Sequence, residues 1–142
     1  MPAEYFLDTN VLIYCFDPGY PAKRQMARRL LAKTSEWVVS WQVVQEFCNV
    51  ALHKMKSPMQ AADLEDFLQV VLMPNCTVMP TAKAYQQALS IHHATQYRFY
   101  DSLIVASALS AGVRLLCSED LQHGRSFGEL SIVNPFLQGF EP

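Results

Sequence analysis

Four carboxylates, Asp8, Glu46, Asp101 and Asp120, lie far apart along 142 residues, yet each occupies a spot from which a shared cleft is reachable. Asp8 ends the apolar run Tyr5-Phe6-Leu7, and Asp120 follows Leu115-Leu116-Cys117 by three residues. Asp101 opens an apolar stretch, and Glu46 has Val43 and Val50 as its one-turn helical neighbours. In open α/β folds the carboxyl ends of the strands form the crevice that binds ligands. Carboxylates gathered there repel: two unit charges about 4 Å apart cost about 4 kcal/mol at an effective dielectric near 20. A cluster of this kind persists when protons stay on or a divalent cation sits among the oxygens. The chemistry these residues suggest is therefore that of a hard, oxygen-liganded metal.

Each carboxylate also has a plainer reading. Asp8 and Asp101 suit helix N-caps, Asp120 suits a turn, and Glu46 suits a glutamate reaching to solvent. Glu119, next to Asp120, competes with it as a ligand, and spacing does not choose between them. Asp8 further suits a phosphatase-type nucleophile, but the general acid wanted two residues later is Asn10, which cannot serve. His53, His92, His93 and His123 form no relay spacing, which disfavours Ser-His-Asp hydrolysis. The five glycines include no phosphate-cradling loop.

The elements that must position these groups alternate. Strands are expected at Glu4–Leu7, Trp37–Val39, Cys76–Met79, Arg114–Cys117 and Ser131–Val133. Helices are expected at Asn10–Phe16, Pro21–Thr34, from Ser40 onward, from Ser57-Pro58 to Pro74, Thr81–Thr95 and Asp101–Ala111, the last closed by Gly112. The stripe Trp41, Val44, Phe47, Cys48, Ala51 and Leu52 should face the core, as should Ala84, Tyr85, Ala88, Leu89 and Ile91. This order predicts an α/β fold, a three-layer α/β/α sandwich with a mostly parallel sheet, as a single domain over residues 1–142.

Composition bounds the function classes. Hydrophobic content of 51% with 17% charged residues is that of a core-rich globular chain, and no apolar run approaches a membrane span. Met1 to Phe6 leads into a strand without a leader-like pattern. Cys15, Cys48, Cys76 and Cys117 are too widely spaced for a metal knuckle and read as reduced core cysteines of a cytoplasmic protein. The net charge of −2 excludes a basic nucleic-acid coat. Even so, Lys23, Arg24, Arg28, Arg29 and Lys33 supply five of eleven basic residues in one helical window, either a solvated face or a phosphate-backbone patch.

Several segments together resemble PIN-domain ribonucleases. They are Phe6-Leu7-Asp8-Thr9-Asn10-Val11-Leu12-Ile13-Tyr14, Val44-Gln45-Glu46-Phe47, Tyr100-Asp101-Ser102-Leu103-Ile104-Val105-Ala106-Ser107-Ala108, Leu116-Cys117-Ser118-Glu119-Asp120-Leu121 and Ile132-Val133-Asn134-Pro135-Phe136. The resemblance runs through essentially the whole chain in order, at the length of VapC-like toxins. It implies a five-stranded parallel sheet with Mg²⁺ or Mn²⁺ at its carboxyl edge. Asp8, Glu46, Asp101 and Asp120 become the ligands, with Asp8 and Asp101 foremost, and Asn10 and Ser118 become polar helpers.

The resemblance also implies cleavage of RNA (tRNA, rRNA or mRNA) to a 3′-hydroxyl and a 5′-phosphate, a homodimer, and a cognate antitoxin whose tail fills the acidic cleft. Arg24, Arg28 and Arg98 are candidate RNA contacts. Tyr97, Arg98, Phe99 and Tyr100 suit a base-stacking platform, although Phe99 and Tyr100 equally suit the core. The expected function is a divalent-metal-dependent endoribonuclease, the toxin of a type II toxin–antitoxin pair. The alternative is a catalytically silent PIN-like module that binds RNA or protein.

Overall fold

The computed structural model describes residues 3–142; Met1 and Pro2, part of the leader reading, lie outside the described residues. The chain runs β1 (Tyr5–Leu7), α1 (Thr9–Tyr14), α2 (Pro21–Leu31), β2 (Trp37–Ser40), α3 (Trp41–His53) and α4 (Ala61–Phe67). A π-helical turn, Leu68–Leu72, leads into a last helical turn, α5 (Met73–Asn75). Then follow β3 (Cys76–Val78), α6 (Ala82–Thr95), α7 (Phe99–Ala111), β4 (Leu115–Cys117), β5 (Ser126–Phe127) and β6 (Leu130–Val133).

The sheet order is β3-β2-β1-β4-β6-β5. The first five strands in that order pair in parallel, as expected. A sixth strand, β5, adds antiparallel to β6. Its hairpin turns through Gly128-Glu129, where Gly128 takes the positive φ (60°) that a two-residue turn requires. All three residues of β1 are buried, and it lies centrally between β2 and β4. From β1 the chain winds outward to β2 and β3, then crosses back to place β4 on the other side. The carboxyl ends of β1 and β4 therefore flank the point where the winding reverses, the ligand-binding crevice of such sheets. Asp8 and Ser118 are the residues immediately after those two ends.

Helices flank the sheet, α1 packing on α2 and α3, and α6 on α7. One continuous hydrophobic core, including fully buried Phe6, Leu7, Leu12, Trp37, Phe47, Leu116 and Ile132, seats both β1 and β4 rigidly. Ser40 caps α3, accepting from the Val43 amide at 3.4 Å, and Thr81 caps α6, accepting from Ala84 at 3.1 Å. Gly112 ends α7 in the left-handed region (φ 74°).

Four expectations need correction. The helix expected from Ser57-Pro58 starts at Ala61, because Met59 is held back by an amide hydrogen bond to the Ala51 carbonyl at the end of α3. It also does not stop before Pro74, which sits in the first turn of α5, where a missing amide proton is harmless. Helix α7 begins at Phe99, two residues early, so Asp101 lies in its first turn and does not cap it. Finally Trp41, Tyr85 and Leu89, assigned to core stripes, are 41%, 43% and 57% exposed. Helical spacing identified the apolar flank, but its edge faces outward.

Candidate active site

Asp8 is buried where β1 passes into α1. Its Oδ1 accepts from the Thr9 amide at 2.8 Å, and its Oδ2 accepts from the Ser118 hydroxyl at 2.7 Å. The N-cap reading of Asp8 is thus realised through Oδ1, while Oδ2 is turned to Ser118 and the turn after β4. Burial pushes the Asp8 carboxyl up to about 6; hydrogen bonds from Ser118 and Thr9 oppose this, while the charges of Glu46 and Asp120 add to it.

Asn10 is the hub of the network. Its Nδ2 lies 3.3 Å from Asp8 Oδ2, 3.3 Å from Ser118 Oγ and 3.2 Å from Asp120 Oδ2. Its Oδ1 accepts from the Glu119 amide at 3.1 Å. The Ser118 hydroxyl oxygen also accepts from the amides of Asp120 (3.2 Å) and Leu121 (3.3 Å), folding the turn after β4 onto Asp8. A carboxamide here gives each neighbouring carboxylate a donor without adding charge, and it has no ionisable proton to offer a phosphatase.

Glu46 reaches the same region from α3. Its Oε2 accepts from the Thr9 hydroxyl and its Oε1 from Gln42 Nε2, both at 2.8 Å. Gln42 Nε2 also reaches the Tyr100 carbonyl at 3.2 Å, while Gln42 Oε1 is buried without a donor. Asp101 is half-buried at the start of α7 and makes no hydrogen bond among the described residues. Burial raises its carboxyl, and the charges of Asp120 and Glu46 raise it further against the pull of Arg98. Asp8, Glu46, Asp101 and Asp120 thus share one electrostatic neighbourhood.

Glu119 and Asp120 part company. Asp120 is exposed and joined to Asn10; Glu119 instead pairs with Lys23 and accepts from Tyr14 OH at 2.6 Å. Burial would raise Glu119, but those hydrogen bonds outweigh it and hold its carboxyl below the usual range. Among the described residues no three His, Cys, Asp or Glu side chains stand close enough to hold a metal ion between them. Neutral donors, namely Asn10, Ser118, Thr9 and Gln42, intervene instead. The donor set still fits a hard cation, since every carboxylate donor is oxygen, and the raised Asp8 and Asp101 carboxyls, lifted first by burial and further by neighbouring negative charge, would be relieved by a cation.

The basic residues on and just after α2 are largely committed. Arg28 Nε donates to the Cys15 carbonyl at 2.9 Å, Arg29 and Lys33 pair with Glu141 and Glu36, and Arg24 makes no ion pair among the described residues. Arg98 is exposed beside Asp101. Next to Glu46 opens a groove of about 440 Å³ whose walls include Trp41, Gln42, Tyr85, Phe99 and Tyr100. Phe99 and Tyr100 are 38% and 66% exposed, so they line this groove and not the core. The four cysteines are free; burial pushes the Cys15 and Cys117 thiols up to about 12, while Cys48 is only half-buried.

The family profile of the PIN domain matches residues 5–125, a span that holds all four carboxylates. The chain belongs to the PIN domain family. Solved structures share the PIN fold at low identity. A toxin–antitoxin complex from Klebsiella pneumoniae aligns with TM-score 0.69 at 16% identity, over 93% of this chain and 98% of that one. FitAcB from Neisseria gonorrhoeae aligns at 0.64 and 19%, over 93% and 98%. Mycobacterium tuberculosis VapC20, described as a sarcin–ricin loop cleaving toxin, aligns at 0.61 and 22%, over 82% and 92%. Among curated proteins none matches.

Reading the sequence for carboxylates left out Thr9, Gln42, Tyr14 and Lys23. Gln42 carried a signal, since it lies four residues before Glu46 on one helix face. Thr9 did not, because its partner is 37 residues away.

Proposed function

We propose that residues 1–142 form a single PIN nuclease domain, a divalent-metal-dependent endoribonuclease acting as the toxin of a type II toxin–antitoxin pair. The observation that carries this reading is the buried Asp8 carboxylate at the reversal point of a PIN sheet, within electrostatic reach of Glu46 and Asp120, the same two carboxylates that act on half-buried Asp101. Asp8 and Asp101 would hold Mg²⁺ or Mn²⁺, with Glu46 and Asp120 completing the ligand set. Such an ion would lower the pKa of a bound water so that hydroxide is available near neutral pH, and would offset charge on the phosphate oxygens. Asn10 and Ser118 hold Asp8 and Asp120 in place, and Thr9 with Gln42 orients Glu46.

RNA reaches the site along Arg98, with Arg24 and Arg28 contributing to phosphate contact. Cleavage leaves a 3′-hydroxyl and a 5′-phosphate. The setting is cytoplasmic; no helix among the described residues is long and apolar enough to cross a membrane. Two partners complete the reading. A basic tail residue of an antitoxin complements the acidic cleft, and the Klebsiella neighbour, a toxin–antitoxin complex, supports such a partner. A second copy of the chain would cover the exposed apolar side chains of Trp41, Tyr85, Leu89 and Phe99.

The test is cleavage of a panel of structured RNAs, tRNAs and the sarcin–ricin loop among them, with Mg²⁺, with Mn²⁺ and with a chelator. Discrete cuts that vanish with the chelator support the reading. Metal binding with no cleavage of any RNA would replace it with the silent RNA- or protein-binding module.

A further outcome concerns Asn10. Asn10→Ala strips donors from Asp8 and Asp120 at once, and loss of outer-shell support of this kind weakens metal binding by about 10- to 100-fold. Mn²⁺ titration reads this directly, and an unchanged affinity would remove Asn10 from the site.

A further inference from the structure

Adjacent carboxylates should repel, yet Glu119 and Asp120 are turned to opposite uses, and the residues that part them come from two other elements. Tyr14 lies one helical turn after Asn10, so α1 presents both to the turn that follows β4. Asn10 grips the turn's main chain, through the Glu119 amide, and its next carboxylate, Asp120. Tyr14 grips the Glu119 side chain through its hydroxyl at 2.6 Å. From α2, Lys23 Nζ contacts the other Glu119 oxygen at 2.5 Å and the Tyr14 hydroxyl at 3.3 Å.

The ammonium also sits in an aromatic enclosure. It lies 4.9 Å from the Tyr14 ring centroid, 5.2 Å from Tyr20 and 5.9 Å from Phe136. Those rings pack edge-on, with Tyr14 centroids 5.6 Å from Tyr20 and 4.9 Å from Phe136. Lone surface ion pairs contribute little. This one is shared among a carboxylate, a phenol and three ring faces, which restrict its geometry and add cation–π attraction.

We propose that Lys23, Tyr14 and Glu119 form a positioning clamp that fixes the 118–120 turn and thereby aims the Asp120 carboxylate at the acidic cluster. Glu119 is thereby withdrawn from the cluster as a ligand, its charge matched by Lys23. The inference rests on the reading of Asp120 as a metal ligand.

Two readouts test it, one of them independent of metal. In hydrogen exchange of the full chain without metal, the amides of Glu119, Asp120 and Leu121, all donors within the turn, lose protection in Lys23→Met and regain it in Lys23→Arg. Tyr14→Phe moves them in the same direction by less. In Mn²⁺ titration, Lys23→Met weakens binding about tenfold, the low end for outer-shell losses. The same substitution adds nothing further in an Asp120→Asn background, because the two act through one group.

Unchanged protection in Lys23→Met overturns the clamp, as does a tenfold loss that persists in full when Asp120 is already Asn. A wild type that binds no Mn²⁺ defeats the metal-nuclease reading instead, and the exchange data still decide whether the turn is clamped.

Discussion

Asp101→Asn is expected to abolish RNA cleavage while leaving the fold intact. Its carboxylate makes no hydrogen bond among the described residues and lies half-buried in the first turn of α7, so an isosteric amide disturbs no native contact. What is lost is one charge against a dication in the transition state. At about 4 Å and an effective dielectric near 20, a carboxylate gains about 4 kcal/mol per unit of positive charge, so with half of the dication's charge offset by its other ligands the loss corresponds to about a thousandfold in rate. Single-turnover cleavage with saturating Mg²⁺, alongside a thermal melt, separates the two effects. An unchanged melt with a rate loss near that size assigns Asp101 to the chemistry. A rate within tenfold of wild type would remove it from the ligand set.

The second large effect is on stability. Asp8 is buried, and its carboxyl is raised from an ordinary 3.8 to about 6, first by burial and then by Glu46 and Asp120. A group whose folded value is raised stabilises the fold in its protonated form. That contribution is fully present below about pH 3.8 and is lost as pH rises through about 6. The difference is worth about 3 kcal/mol. Without metal, wild type therefore loses about that much stability relative to Asp8→Asn between pH 4 and pH 7.5.

The comparison with Asp8→Asn matters because Asp101 is shifted in the same sense as Asp8 and Glu119 in the opposite one. Urea denaturation of both proteins in chelator, at steps across this range, reads the changing gap. Parallel stability curves would mean that Asp8 is not the buried titrating group. A cation bound by ionised Asp8 offsets the burial cost, so Mn²⁺ should narrow the gap at pH 7.5.

Much of this was legible beforehand because parallel α/β folds write their order into short apolar runs. The runs ending at Leu7 and Cys117 located two strand ends, and those ends placed Asp8 and Ser118 side by side across the β1–β4 boundary. Asn10 entered through its motif and proved central, bonding to Asp8, Ser118 and Asp120. The separate surroundings of Glu119 and Asp120 were not legible. Glu119 pairs with Lys23, 96 residues away, which no local pattern connects to it.

Strand β5 was also missed, being two residues long and marked only by the Gly128 turn. The exposed aromatics escaped for a different reason. Helical spacing gives the direction of an apolar face but not the width of what covers it, so Trp41 and Tyr85 read as core. Asp101 looked like a cap because its helix was expected to begin there. The true start at Phe99 leaves its carboxylate available to the cleft.

The most direct test of the central claim, a divalent cation held by these carboxylates, is anomalous diffraction at the manganese edge from crystals grown near neutral pH with Mn²⁺. The account predicts a peak in contact with Asp8 and Asp101 and bordered by Glu46 and Asp120. A saturating soak that leaves the Asp8–Asn10–Ser118 network unaltered with no peak beside it, or a peak bounded by other residues, would contradict it.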